Sequence, residues 1–270
     1  MSPHDPLART PAVLEELQLL RPPVWPAGCG AVMTTRLGGV SRPPFDALNL
    51  RGAPFLPDDA HDVAENRRRF AATIGATPVY LDQVHGSRVV RLRQDDLASD
   101  ESALERADAS IATEPGVACT VLVADCLPVL FASRDGRTVG AAHAGWRGLS
   151  GGVLAATMGA LCEASGQPPS AFVAWIGAGI GPVHFEVGAD VPAAFDTGEA
   201  RHFRAAPARD GTPKWMGDLA AIALGRLRGL GLDSVVASGL CTVADRERFF
   251  SYRRDGLTGR LAAAAWIRRP

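Results

Sequence analysis

Three residues whose side chains bind metals or attack carbon sit at the ends of apolar, strand-like runs. His85 ends the run from Tyr80 and precedes Gly86, Cys126 ends the run from Val121, and His143 ends the run from Val139 and precedes Ala144-Gly145. Strand ends that converge on one edge of a sheet can bring such side chains together. Two imidazoles and a thiolate are a ligand set for catalytic zinc, with a fourth position open to water or substrate. The same atoms suit a cysteine nucleophile with a histidine base. Buried cysteines and hydrogen-bonded core histidines are also common, and the long spacings match no local metal motif, so spacing alone leaves these readings open.

Other segments carry weaker signals. In Ala142–Gly148 (AHAGWRG) small residues allow close approach around His143. Arg147 there could hold a phosphate or carboxylate by a bidentate contact, and Trp146 fits core packing or base stacking. Arg36 lies in Thr34–Ser41 (TTRLGGVS), where a glycine turn could cradle an anion or simply turn the chain. Gly177–Pro182 has the glycines of a dinucleotide loop but lacks the helix start and the later acidic residue. Phe249–Gly256 is aromatic and basic, which ion pairs and packing explain as well as a ligand does. Asp125 and Gln83 flank the candidate site, and alternation along regular strands points both away from it.

These residues must be positioned by strands and helices with irregular connections. Strands are expected at Ala31–Thr35, Val79–Val84, Arg88–Leu92, Val117–Val123, Val129–Phe131, Thr138–Ala142, Ala171–Ile176, Ser234–Ala237 and Leu261–Ile267. Helices are expected over Asp58–Ile74, over Gly151–Ala164, and from an Asp218 cap to about Leu230. The order lacks a regular βαβ rhythm, which favours an α+β fold with mixed sheets. The chain reads as one domain over residues 11–270 behind a flexible tail, residues 1–10.

Composition narrows the function. The 270 residues carry 28 Lys+Arg against 29 Asp+Glu, a net charge of −1, and 47% are hydrophobic. That supports a large core and excludes general disorder. A balanced charge argues against nucleic acid as the main partner. The five cysteines, Cys29, Cys119, Cys126, Cys162 and Cys241, are odd in number and widely spaced, which fits a reducing compartment. No signal peptide or membrane-length apolar run is visible. The expectation is a soluble cytoplasmic protein with no membrane and no obligate protein partner.

Taken together and in order, the motifs resemble one family: the laccase-domain or polyphenol-oxidase-like proteins, regarded as multifunctional purine nucleoside phosphorylases. The matching segments are TTRLGGVS (34–41), LNL (48–50), ENRRRF (65–70), QVHG (83–86), ADCLPVL (124–130), AHAGWRG (142–148), GAGIGPVHFEVG (177–188) and FFSYRRDGLTGR (249–260). The resemblance implies packed mixed β-sheets flanked by helices, similar to a deamidase-toxin or cysteine-hydrolase-like fold. It implies a zinc site on His85, Cys126 and His143, with copper as an alternative metal. The implied activities are phosphorolysis of inosine, adenosine, guanosine and methylthioadenosine, and deamination of adenosine. The expected partners are a small-molecule nucleoside and phosphate, with Arg36 and Arg147 as phosphate candidates by charge type.

Some relatives are tied to copper-dependent phenol oxidation, others to editing of peptidoglycan precursors, a hydrolysis that Cys126 could perform. The six histidines include no His-x-His pair, which argues against the multi-histidine set of a blue-copper oxidase. A non-enzymatic zinc module is a further reading, with His184 as a conceivable fourth ligand. His184 stands where relatives often carry Cys or a small residue, and RGAPFLPDD after LNL departs from the family's shorter link.

Overall fold

Apolar runs without alternation mark strands buried on both faces. The computed structural model, which describes residues 17–95 and 105–269, places two such runs inside its sheets. A five-stranded sheet runs in the order Leu19–Leu20 (β1), Cys29–Thr34 (β2), Leu261–Ile267 (β14), Val117–Val123 (β6), Thr77–Val79 (β3). A six-stranded sheet runs Ser234–Ala237 (β13), Phe172–Ile176 (β9), Leu127–Ser133 (β7), Val139–Ala144 (β8), Ala109–Ala112 (β5), Val89–Leu92 (β4). Both mix parallel and antiparallel pairs. A smaller sheet joins Glu186–Val187 (β10), Thr212–Gly217 (β12) and Phe203–Arg209 (β11).

The two large sheets stack face to face. Along β7, Val129 and Phe131 point to one core, and Leu130 and Ala132 to the core between the sheets. Along β14, Ala263 and Ala265 face that same inter-sheet core, while Ala262, Ala264 and Trp266 face the other side. The period of two thus serves two cores at once.

Helices cover the outer faces. Ala60–Ile74 (α1) packs Phe70 and Ile74 on the five-stranded sheet. The Asp59 side chain caps its start, and Gly75 ends it in the left-handed conformation. Trp146–Ser150 (α2) leads into Val153–Ser165 (α3), which with Leu219–Gly229 (α4) covers the six-stranded sheet. Tyr252–Asp255 (α5) is a single turn.

The α+β class with mixed sheets flanked by helices is as expected, and most strands fall where anticipated. The strands Leu19–Leu20, Ala109–Ala112 and Glu186–Val187 were not expected, and other differences have visible causes. The strand expected over Val79–Val84 is regular only to Val79, because backbone N–H groups of Val84, His85 and Gly86 turn to the Asp108 carboxylate. The helix expected from Gly151 starts at Val153, with Gly152 at φ 87 separating it from α2. The hairpin of β11 and β12 was missed, although its Asp210-Gly211 turn, both residues at positive φ, is a hairpin signal. The tail expected at residues 1–10 lies outside the described residues. Among the described residues, no helix is long and apolar enough to cross a membrane.

Candidate active site

His143 is held within β8, opposite Pro128 of β7. Cys126 sits in the tight turn from β6 to β7. That turn needs Asp125 at φ 95, a costly conformation for a residue with a Cβ. The surroundings hold it there: the Asp125 carboxylate accepts hydrogen bonds from the Thr242 hydroxyl and the Arg253 N–H, both at 2.6 Å. Asp125 therefore points away from the site, as alternation implied. His85 lies in the loop after β3, at φ 60.

Asp108, fully buried just before β5, ties two of the three together. One carboxylate oxygen accepts from the His85 N–H at 2.9 Å and from His143 Nδ1 at 2.8 Å. The other accepts from Val84 at 3.2 Å and from Gly86 at 2.7 Å. With Nδ1 donating to Asp108, His143 turns Nε2 toward the site. This carboxylate–imidazole pairing is the usual support of a ligating histidine.

The ligand atoms of His85, Cys126 and His143 all lie within 4.8 Å of one another. Cys126 Sγ is 3.8 Å from His85 Nε2, and the two imidazoles meet edge-on with centroids 4.8 Å apart. The space beside them is kept open by Gly145. A Cβ there would come within 2.8 Å of Cys126 Sγ and 2.9 Å of His85 Cδ2. Two imidazole nitrogens, one sulfur and a cleared cradle could hold a metal ion, and zinc suits that donor set.

Electrostatics favour an ion pair in the metal-free site, a Cys126 thiolate beside a protonated His143, whose Nε2 proton a metal would displace. Burial opposes ionisation of Cys126, but the charge and hydrogen bond of His143, with those of His85, outweigh it and bring the thiol down to about 6. Burial likewise opposes charging of His143, and the Cys126 thiolate and Asp108 overcome it, raising His143 to about 9. Burial works against Asp108, yet His143 and the loop N–H groups hold it below the ordinary carboxylate value. Cys119, in contrast, is pushed up to about 12 by burial and Cys29 to about 11, chiefly by burial.

The triad opens into a cavity of about 380 Å³, a size suited to a small metabolite. Arg51, Arg260 and the partly exposed Phe55 and Tyr252 also line it. Gln83 lines it too, contrary to the expectation from alternation, because the chain is not a regular strand there. Its carboxamide is bound to Leu122, donating to the carbonyl and accepting from the N–H, each at 2.8 Å.

The two arginines expected at phosphate do not line this cavity. Arg36 pairs with Asp46, its Nε 2.7 Å from the Asp46 carbonyl, and its guanidinium covers Phe250. Arg147 lies over the Trp146 ring. His184 stands apart from the triad, with Nδ1 3.5 Å from Cys241 Sγ. The sequence reading missed Asp108, Arg51 and Arg260, while Gly145 is one of the small residues expected to allow close approach around His143. Of these, Asp108 left a trace: an acid opening the apolar run Ala109–Ala112 calls for a buried partner.

Comparison with known proteins gives a consistent result. The family model described as multi-copper polyphenol oxidoreductase laccase matches residues 30–268. A Pseudomonas aeruginosa protein named purine nucleoside phosphorylase is 46% identical over 247 residues, covering 91% of this chain and 97% of that protein. The Escherichia coli purine nucleoside phosphorylase YfiH is 44% identical, with 91% and 97% covered. A crystal structure of a Neisseria meningitidis protein superposes with a TM-score of 0.83 at 40% identity, covering 94% of this chain and all of that one.

Proposed function

We propose, from the premise that this chain belongs to the multi-copper polyphenol oxidoreductase laccase family, that it is a zinc-dependent purine nucleoside phosphorylase. Its substrates in this reading are inosine, adenosine, guanosine and methylthioadenosine, and adenosine deamination is a second activity of the same centre. The observation that carries the reading is the His85–Cys126–His143 cluster opening into a nucleoside-sized cavity. The names of the Pseudomonas aeruginosa and Escherichia coli relatives support its purine nucleoside phosphorylase part.

The chain's own residues supply position and charge. Asp108 fixes the His143 tautomer and the His85 loop, so that both imidazoles present nitrogen to one point. Cys126 is a thiolate at neutral pH and meets them there. The exposed Tyr252, at the cavity wall, offers an aromatic ring for a purine to stack on. Zinc, when bound, supplies a Lewis acid and an activated water, the chemistry that deamination at the purine 6-position needs.

The test is base release from inosine by zinc-loaded protein, with and without phosphate, beside Cys126→Ser. Phosphate-dependent release of hypoxanthine and ribose 1-phosphate, lost in Cys126→Ser, is the expected result. Release indifferent to phosphate, or full turnover by a metal-free Cys126→Ser protein, refutes the reading.

The low Cys126 pKa also supports a second reading, a cysteine hydrolase that edits peptidoglycan precursors. That enzyme consumes a muramyl peptide without metal and leaves inosine and phosphate untouched.

A further inference from the structure

The cavity holds two arginines without a close carboxylate partner, although Arg260 is also drawn toward Cys126 and Asp125 at longer range. The Arg51 side chain is only 12% exposed, and its guanidinium carbon lies over Phe55, 3.8 Å from the ring centroid. Its ion-pair partner is Asp82, at 3.8 Å, a carboxylate that also lies 3.6 Å from Arg106. Arg260 donates from one guanidinium nitrogen to the carbonyls of Thr258 and Gly259. Among the described residues, no carboxylate lies within ion-pair distance of Arg260.

One buried side chain ties the backbones of the two arginines together. Asn49 Oδ1 accepts from the N–H groups of both Arg51, at 3.2 Å, and Arg260, at 2.8 Å. Its Nδ2 donates to the Arg51 carbonyl at 2.8 Å and to Asp58 at 2.7 Å. Burial, and next the charge of Arg260, push Arg51 down to about 10. Two like charges held close and poorly compensated are costly unless an anion joins them. Planar guanidinium forks match the oxygens of phosphate or carboxylate.

We propose that Arg51 and Arg260 form an oxyanion subsite within the metal cavity and that inorganic phosphate is its occupant. The assignment of phosphate rests on the phosphorolysis reading; the subsite itself rests on the arginines. During turnover an oxygen of the bound hydrogen phosphate forms the new bond to C1′ of the ribose as the C1′–N9 bond breaks. The bonding pair leaves on the purine, and the proton of the hydrogen phosphate ends on that base. The arginines hold the phosphate through hydrogen bonds and make or break no covalent bond. Asn49 is a positioning residue for the pair.

The experiment uses full-length zinc-loaded protein and the variants Arg51→Met, Arg260→Met, Arg51→Lys and Arg260→Lys. The Met variants keep the buried stem, and the Lys variants keep the charge but lose the fork. KM for phosphate should rise about tenfold to a hundredfold in each Met variant, as for loss of charge-assisted hydrogen bonds, while KM for inosine stays within about twofold. The Lys variants should fall between, and they carry the test if a Met variant does not fold. Without nucleoside, inorganic phosphate should raise the melting temperature of the wild type and not that of Arg51→Met. An unchanged phosphate KM, or a rise in inosine KM alone, overturns the subsite. A melting temperature raised by inosine 5′-monophosphate but not by inorganic phosphate also overturns it, because the anion is then carried by the substrate. A wild type that phosphate stabilises but that never cleaves inosine overturns the phosphorylase reading and leaves the anion subsite standing.

Discussion

Replacing Asp108 by Asn tests whether one buried carboxylate builds the centre. Its two oxygens accept from four donors: the N–H groups of Val84, His85 and Gly86, and Nδ1 of His143. Asparagine keeps one oxygen and places an NH2 group against the other two donors. If that group faces His143, the imidazole must give up its Nδ1 proton and carry it on Nε2, where it blocks the metal. If it faces the loop, the Val84 and Gly86 N–H groups lose their acceptor. Each buried donor left unpaired costs about 1–3 kcal/mol, so the variant should lose about 2–6 kcal/mol. That is a large part of a typical total of about 5–15 kcal/mol, measurable by urea unfolding at pH 7. Zinc affinity, measured by competition with a chelator, should fall about 10- to 100-fold.

The pH dependence follows from the sign of the shift. The native Asp108 pKa lies below the free value of 3.8. Its contribution is therefore complete above about pH 4 and is lost as pH falls through the native value. The gap between wild type and Asp108→Asn should close on acidification. A variant within about 1 kcal/mol of wild type at pH 7, with unchanged zinc affinity, refutes the organising role of Asp108.

Three further outcomes are expected. In metal-free protein, iodoacetamide should modify Cys126 with a half-maximal rate near pH 6, while Cys29 and Cys119, at about 11 and 12, stay unmodified; mass spectrometry reads each site, and a Cys126 midpoint above about pH 8 contradicts the histidine–thiolate electrostatics. Gly145→Ala should fold normally, since Gly145 has φ −63, yet retain at least about tenfold less zinc by elemental analysis, because the new methyl crowds Cys126 and His85. Asn66→Ala should cost about 2–4 kcal/mol in urea unfolding: the buried Asn66 accepts from Val40 and donates to Ser41, Ala47 and Asn49, and its loss strips the Val40 N–H and the Asn49 carbonyl of this partner.

The three ligand candidates were legible because each closes an apolar run beside glycine or proline, a pattern set by local chain geometry. The strands were legible for the same reason: Leu127–Ser133 and Leu261–Ile267 are continuous apolar runs, as burial on both faces requires. What lay hidden depends on contacts between distant segments. Asp108 looks like any acid at a strand start until three N–H groups from residues 84–86 close on it. Arg51 and Arg36 are alike in sequence, and only the fold commits one to Asp46 and leaves the other in the cavity. Gln83 was misjudged because alternation was extended past the point where the chain leaves the strand.

Strand β14, the last among the described residues, lies in the middle of its sheet, between β2 and β6. During synthesis, therefore, β2 and β6 leave the ribosome with no neighbour on their facing edges until residues 261–267 follow. Such open edges invite pairing with other nascent chains. Completion of the sheet must come after translation of residues 261–267, and chaperone dependence should be greatest before that point. Because β2 and β14 are separated by more than two hundred residues, refolding should also be slow, as it is for folds rich in distant pairings.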